Sequence, residues 1–284
     1  MPDRSFVLTV SCPDRVGIVH AVSGWAADRG LTITDAQQFG DASSGEFHLR
    51  MELAPTAGGS IEELRASFAP VAERFSMQHA LHDLSVPHRL LVLVSRQGHV
   101  LNDLLFRVRT GQLNVQIPVI VSNHPDFAEL AAWHGIPFEH VPVTPDTKPA
   151  AESRLRELVA RHDVETIALA RYMQILSAQL CADLPGRIIN IHHSLLPSFK
   201  GAKPYTQAHD RGVKVIGATA HYVTADLDEG PIIEQDFRRV DHRMSPEQLA
   251  TAGQELEAMA FARAIRWHVE RRVVLRGRRT IVFD

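Results

Sequence analysis

The chain reads as α/β in two domains, a small β-α-β-β-α-β domain ahead of a larger one built on a mostly parallel sheet. Three observations carry this. Residues 46–53 alternate apolar and polar without a break, the period of an antiparallel strand with one face in a core. Ile61, Leu64, Phe68, Val71 and Phe75 recur at helical spacing. Beyond residue 89, short continuous apolar runs alternate with helical stretches, as parallel strands covered on both faces do.

In order, residues 5–11 (FVLTVSC) are rich in β-branched and aromatic types and predict a strand, broken by Pro13-Asp14-Arg15. A helix is expected from Val16 to Asp28, with Ile18, Val22, Trp25 and Ala26 on one face and Gly30 as its C-cap. Thr32 to Phe39 predicts the second strand and Gly40 to Gly45 a turn. In the third strand Phe47, Leu49, Met51 and Leu53 face the core, and Glu46, His48, Arg50 and Glu52 face outward. The helix of residues 61–75 and a strand from Met77 to Leu84 complete a ferredoxin-like split βαβ pattern.

Ser85-Val86-Pro87 is a hinge candidate, because proline cannot continue a ladder and biases its neighbour to extended geometry. The expected division is therefore 1–84, a linker at 85–88, and 89–284. In the second domain strands are expected at Leu90–Val94, Pro118–Val121, Phe138–Val141, Glu165–Ala170 and Arg187–Ile191. Helices are expected near Val100–Arg109, Pro125–His134 and Ala150–Arg161. Ser245-Pro246-Glu247-Gln248 opens the last long helix, with an N-cap serine, proline at the first helical position and a capping-box glutamine.

Composition narrows the function classes. The 284 residues are 45% hydrophobic and 22% charged, an ordinary globular balance, with a net charge of −3. Outside Arg271-Arg272 and Arg276 to Arg279 there is no dense basic block, so nucleic acid is not an expected partner and the arginines read as a solvated face. Two distant cysteines, Cys12 and Cys181, make no disulfide framework and fit a reducing compartment. The N-terminus has no signal-peptide pattern, and no stretch is long and apolar enough for a membrane helix. A soluble, cytoplasmic protein is expected.

Several motifs are tested and rejected. The first strand of the second domain leads into Ser95-Arg96-Gln97-Gly98-His99-Val100, which holds one of the three glycines a dinucleotide fingerprint needs. Gly212 and Gly217 have phosphate-loop spacing, but Ala218-Thr219 replaces the lysine and hydroxyl pair. H-E-x-x-H, C-x-x-C and G-x-S-x-G are absent, which weakens a serine-hydrolase role for Ser194.

What remains lies between Ile188 and Ile233. Asn190, His192 and Ser194 sit at or just beyond the end of a strand, His221 in a second apolar strand, and Asp228 in the loop after it. Pro197, Gly201, Gly217 and Gly230 shape the surrounding loops. In open α/β sheets ligands bind outside the carboxyl ends of strands. An amide and an imidazole N–H can hold a developing oxyanion, a carboxylate can direct water, and a second imidazole can tune that carboxylate. The same His192, His221 and Asp228 also have the composition of a metal-binding triad, and that alternative stays open here.

These residues also carry a resemblance. NIHHSLLPSFKG at 190–201, GATAHYVT at 217–224 and LDEGPII at 227–233 resemble the formyl-transferring folate enzymes, and so do LARYMQIL at 169–176, SNHPDF and GIPFEHVPVT. The N-terminal domain looks like a regulatory ACT domain, which matches the deformylase branch of that family. The resemblance implies a Rossmann-like formyltransferase fold for the second domain and hydrolysis of 10-formyltetrahydrofolate, in one-carbon metabolism and purine biosynthesis. Folate is then substrate, with no cofactor or metal. Asn190 and His192 would hold the formyl oxygen, and Asp228, supported by His221, would organise water and proton transfer.

The resemblance further implies pterin contacts from Arg171, Tyr172, Met173, Gln174, Ile175 and Leu176, and from Ala225, Asp226, Leu227 and Asp228. An amino-acid effector would border the turn holding Asp14, Arg15, Gly17 and Ile18, and sheet-edge pairing would give a homo-oligomer. Two departures from the transformylase branch point to water as acceptor. SRQGHVL replaces a glycine-rich phosphate loop, and His193 stands where that branch has proline after the catalytic histidine. EFHLR departs from the deformylase pattern of two aromatics and Met-Arg, which bears on the effector site. The alternatives are a formyltransferase acting on an amine and a non-catalytic sensor of folate or amino acid.

Overall fold

A computed structural model describes residues 5–56, 60–197 and 204–284. They form two compact units, one of residues 1–87, 267–274 and 282–284, the other of 88–266 and 275–281.

The first unit runs β1 (Phe6–Pro13), α1 (Ile18–Asp28), β2 (Leu31–Asp41), β3 (Glu46–Pro55), α2 (Ile61–Phe75) and β4 (Gln78–Asp83). Its sheet has the order β2-β3-β1-β4, antiparallel where β1 meets β3 and β4 and where β2 meets β3. Leu8, Val10, Leu49, Met51 and Leu53 meet Ile18, Val22, Trp25 and Phe68 in one core, where Trp25 and Phe68 pack edge to face at 4.8 Å. Helix α1 starts at Ile18, two residues later than expected, because Gly17 takes φ 97°, outside the right-handed helical region. Ser60 and Glu63 form a reciprocal capping box on α2.

The strand β3 departs from its expected half-burial. His48 and Arg50 are buried as well. Arg50 donates to the Glu270 carbonyl and to Asp35 and Glu52, so the C-terminal segment of this unit covers the face expected to be open.

The second unit runs β5 (His88–Val94), α3 (His99–Arg109), β6 (Val115–Gln116), β7 (Ile120–Ser122), α4 (Ala128–Trp133), β8 (Phe138–His140), α5 (Lys148–Arg161) and β9 (Thr166–Ala170). It continues with α6 (Ala178–Asp183), β10 (Ile188–His192), α7 (Pro204–Asp210), β11 (Val215–Tyr222), β12 (Ile232–Arg239) and α8 (Pro246–Val269). The last two strands of the chain, β13 (Val273–Arg276) and β14 (Arg279–Val282), pair with each other.

The large sheet has the order β12-β11-β10-β9-β5-β7-β8, with β6 pairing to the start of β5. All pairs from β10 to β8 are parallel, and β11 and β12 extend it antiparallel. Leu90 to Val94 are wholly buried, as parallel neighbours on both sides demand. The strand expected at 118–121 begins two residues later, at Ile120, because Pro118 has no N–H to give a ladder. The capping box on α8 forms as expected, with the Ser245 N–H donating to Gln248 Oε1 and the Gln248 N–H to Ser245 Oγ. The order in which strands are added reverses at the parallel pair β5 and β9, with β7 and β8 laid down on one side and β9 and β10 on the other, which places the switch point, and hence the ligand crevice, at their carboxyl ends.

Candidate active site

At the carboxyl ends of β9 and β10 lies a cavity of about 260 Å³. Its wall comprises the stretch from Arg171 to Leu176, Asn190 to His193 at the end of β10, His221, and the loop from Val223 to Asp228. Every catalytic and pterin-contact candidate therefore lines one space. Met173, Ile175 and Leu227 leave more than half of their surface exposed, an apolar rim suited to a flat ring.

Sheet register brings the polar residues together. Asn190 lies opposite His221 across the antiparallel pair β10 and β11. His221 Nδ1 lies 2.9 Å from the Tyr222 carbonyl, so that nitrogen carries the proton and Nε2 accepts from Asn190 Nδ2 at 3.2 Å. Burial holds His221 below the usual histidine range despite that carbonyl and Asp228.

Asp228 has φ 56°, a left-handed turn that brings its carboxylate back over the strand end. Its Oδ1 is 3.3 Å from His192 Nδ1 and 3.8 Å from His221 Nε2. The hydrogen bond from His192 lowers the Asp228 carboxyl below its ordinary value, against the opposing effect of burial. His192 is thus the nearer imidazole to the carboxylate, while His221, whose charge also lowers Asp228, holds Asn190 as well.

Both ring nitrogens of His221 are engaged, and among the described residues no three His, Cys, Asp or Glu side chains converge to hold a metal. Composition alone suggested a metal triad; the geometry is that of two hydrogen-bonded pairs.

Glycines make the approach close. A Cβ on Gly230 would stand 1.7 Å from the Tyr222 carbonyl oxygen, and one on Gly217 2.5 Å from the Asp236 carbonyl oxygen. Thr219 locks the loop after β10, accepting from the Leu196 N–H and donating to the Ser194 carbonyl. Gly201 lies outside the described residues.

In the cavity wall two buried ring nitrogens have no partner among the described residues, His192 Nε2 and His193 Nδ1. Leaving such a group unsatisfied costs about 1–3 kcal/mol, a cost tolerated where a ligand completes the bond. Burial, with Arg171 and His192 nearby, lowers His193 to about 4.

Behind these residues is a network the sequence did not disclose. Glu257, in mid α8 and buried, accepts from Tyr205 Oη at 2.8 Å, lies 2.8 Å from His99 Nε2 and is 3.3 Å from Arg171 Nε. Burial alone would raise its carboxyl, yet the His99 hydrogen bond and the Arg171 charge bring it below the ordinary value. Arg171 also donates to Gln97 Oε1, and it holds φ 64° at the end of β9. The Ser95 hydroxyl accepts from the Met173 N–H and donates to Asn123, fixing the cavity wall. One signal was available: Glu257 falls in register with Gly253, Ala260 and Phe261, a charge on the buried stripe of a helix.

The effector candidates lie in the first unit. Asp14 and Arg15 are exposed in the turn after β1, where the Asp14 N–H donates to the Gly45 carbonyl. Gly17 caps α1, and Ile18 puts its side chain in the core. Among the described residues no helix is long and apolar enough to cross a membrane.

Residues 88–265 match the formyl transferase family model. The chain is 48% identical to the formyltetrahydrofolate deformylase of Corynebacterium sp. (strain P-1), over 97% of each. It is similar to the solved formyltetrahydrofolate deformylase of Burkholderia mallei ATCC 23344, with 50% identity and a TM-score of 0.94 over 99% of this chain and 100% of that one. The solved glycinamide ribonucleotide transformylase 1 of Symbiobacterium toebii is 33% identical with a TM-score of 0.66, over 72% of this chain and 98% of its own. Likeness over the full length, both units included, is to the deformylases, and the chain belongs to the formyltetrahydrofolate deformylase family.

Proposed function

We propose that the chain hydrolyses 10-formyltetrahydrofolate to tetrahydrofolate and formate. The observation that carries this is the meeting of Asn190, His192 and Asp228 on one wall of a cavity rimmed by apolar side chains. The pterin lies against the backbone of Arg171 to Leu176 and of Ala225 to Asp228, and the formyl group reaches the end of β10.

Asn190 uses one amide N–H on His221 and keeps the other for the formyl oxygen. His192 in its imidazolium form points Nδ1–H at Asp228, leaving Nε2–H for the same oxygen. Two such donors stabilise the oxyanion by roughly 3–4 kcal/mol each. Asp228, held as a carboxylate, takes a proton from water as its oxygen bonds to the formyl carbon. That proton then passes to N10 as the C–N10 bond breaks, leaving formate and tetrahydrofolate.

The first unit serves as the regulatory part of this reading, with an amino-acid effector beside Asp14, Arg15, Gly17 and Ile18. The full exposure of Val16 at that turn supports a contact there.

The test is anaerobic incubation of the purified chain with 10-formyltetrahydrofolate alone. Equal release of formate and tetrahydrofolate is expected. A formyl group retained until an amine is added would overturn hydrolysis in favour of transfer.

A further inference from the structure

His193 follows His192 at the end of β10, with ring centroids 4.8 Å apart, and lies 6.4 Å from the Tyr205 ring. Of the buried histidines of this unit, His192 also leaves one ring nitrogen, Nε2, without a partner among the described residues, whereas His221 and His88 engage both. His221 bonds Asn190 and the Tyr222 carbonyl, and His88 bonds Thr166 and lies 3.3 Å from Glu165. His193 has a buried Nδ1 with no partner among the described residues, so packing does not account for its polarity.

His193 also lines two spaces. One is the folate cavity. The other, lined as well by Ser194, Leu195, Tyr205 and Gly217, is a cavity of about 30 Å³. A water needs about 10–15 Å³ of such space and two or more polar partners. Of the residues lining this cavity, His193 and Tyr205 carry such groups, and the Tyr205 hydroxyl is held by its donation to Glu257. Gly253 makes room for this, since a Cβ there would stand 1.9 Å from that oxygen.

We propose that His193 is a further catalytic residue, whose Nδ1 holds the attacking water, supplied from the small cavity, against the formyl carbon. This rests on the hydrolytic function proposed above. The water oxygen bonds to the formyl carbon, the carbonyl electron pair moves to the oxygen held by Asn190 and His192, and the water proton goes to Asp228. His193 accepts a hydrogen bond and takes no proton. Its lowering to about 4 agrees with that, because a neutral imidazole keeps the lone pair this role needs.

The test uses the full chain as wild type, His193→Ala and His193→Asn. Hydrolysis of 10-formyltetrahydrofolate, tetrahydrofolate affinity by calorimetry, and formyl transfer to added hydroxylamine are measured for each. The alanine variant is expected to lose about 100-fold in hydrolytic kcat, within the range for a group assisting proton transfer. Its tetrahydrofolate Kd should stay near wild type, and its cleavage by hydroxylamine, a nucleophile that needs no such holding, should survive. Asparagine, whose amide can still meet the water, should recover part of the rate.

Hydrolysis near the wild-type rate in both variants would overturn the proposal. So would a parallel loss of hydrolysis and hydroxylamine cleavage, with or without loss of affinity, because it places His193 in folding or substrate binding. Failure of the wild-type chain to hydrolyse the folate without an acceptor would instead overturn the proposed function.

Discussion

Asn190 Nδ2 lies 3.2 Å from His221 Nε2, and His221 is locked from its other side by the Tyr222 carbonyl at 2.9 Å. The strand-borne imidazole therefore sets the orientation of an amide opposite it in the sheet. Removing it in His221→Ala frees the Asn190 amide to rotate. We expect kcat to fall about 10–100-fold, less than the 10²–10³ typical of deleting an oxyanion donor outright. KM should change little, and steady-state assays of both variants, His221→Ala and Asn190→Ala, check the order.

Asp228→Asn keeps the size of the side chain and removes the anion. A loss of about 10²–10⁴ in kcat is expected for a group that moves a proton in the transition state. Tetrahydrofolate affinity should survive, because the loop contacts the ring through its backbone. Retention of the full rate would show that another group takes the water proton.

Gly230→Ala is expected to be among the most destabilising changes in the second unit. Its Cβ would occupy the position of the Tyr222 carbonyl, on the segment where the Tyr222 N–H donates to Pro231 O at 2.9 Å. Backbone cannot yield as a flexible side chain can, so a loss of about 3 kcal/mol or more is expected. Urea unfolding measures it, and a midpoint equal to wild type would contradict the packing described.

Stability should also fall in mild acid. His193 titrates near 6.5 when unfolded and is lowered to about 4 in the fold by burial and by Arg171 and His192. Between those values the unfolded chain binds a proton that the folded chain does not, so stability decreases as pH falls from 6.5 to 4 and levels off below. His221, lowered by burial as well, acts in the same direction. Urea midpoints across this window should slope upward with pH, less steeply in His193→Gln.

Glu257 is the buried charge on which the far wall depends. Glu257→Ala strands Arg171 and His99 without their shared anion, and breaking one side of a buried pair costs about 3–5 kcal/mol. Glu257→Gln keeps an acceptor for Tyr205 and should lose less. Thermal unfolding of the two variants tests the order.

The local code of the chain was sufficient for most of the architecture. Alternation in 46–53, the helical period of 61–75 and the apolar run Leu90–Val94 each report burial through a repeat of two to four residues, which neighbouring side chains enforce directly. The candidate site was legible for the same reason. Asn190 and His192 share one strand, His221 lies in the next and Asp228 follows within one loop, so short motifs carried them all.

What folding alone decided depends on residues far apart in sequence. Arg50 is buried because Glu270 returns to its strand, and that return leaves no period in either segment. Asp228 lies nearer His192 than His221, at 3.3 against 3.8 Å, a difference set by a left-handed turn rather than by residue type. Glu257 reaches Tyr205, Arg171 and His99 across three other elements. Such pairings follow from how the sheet order places strand ends and helices, a geometry that no local pattern of side chains encodes.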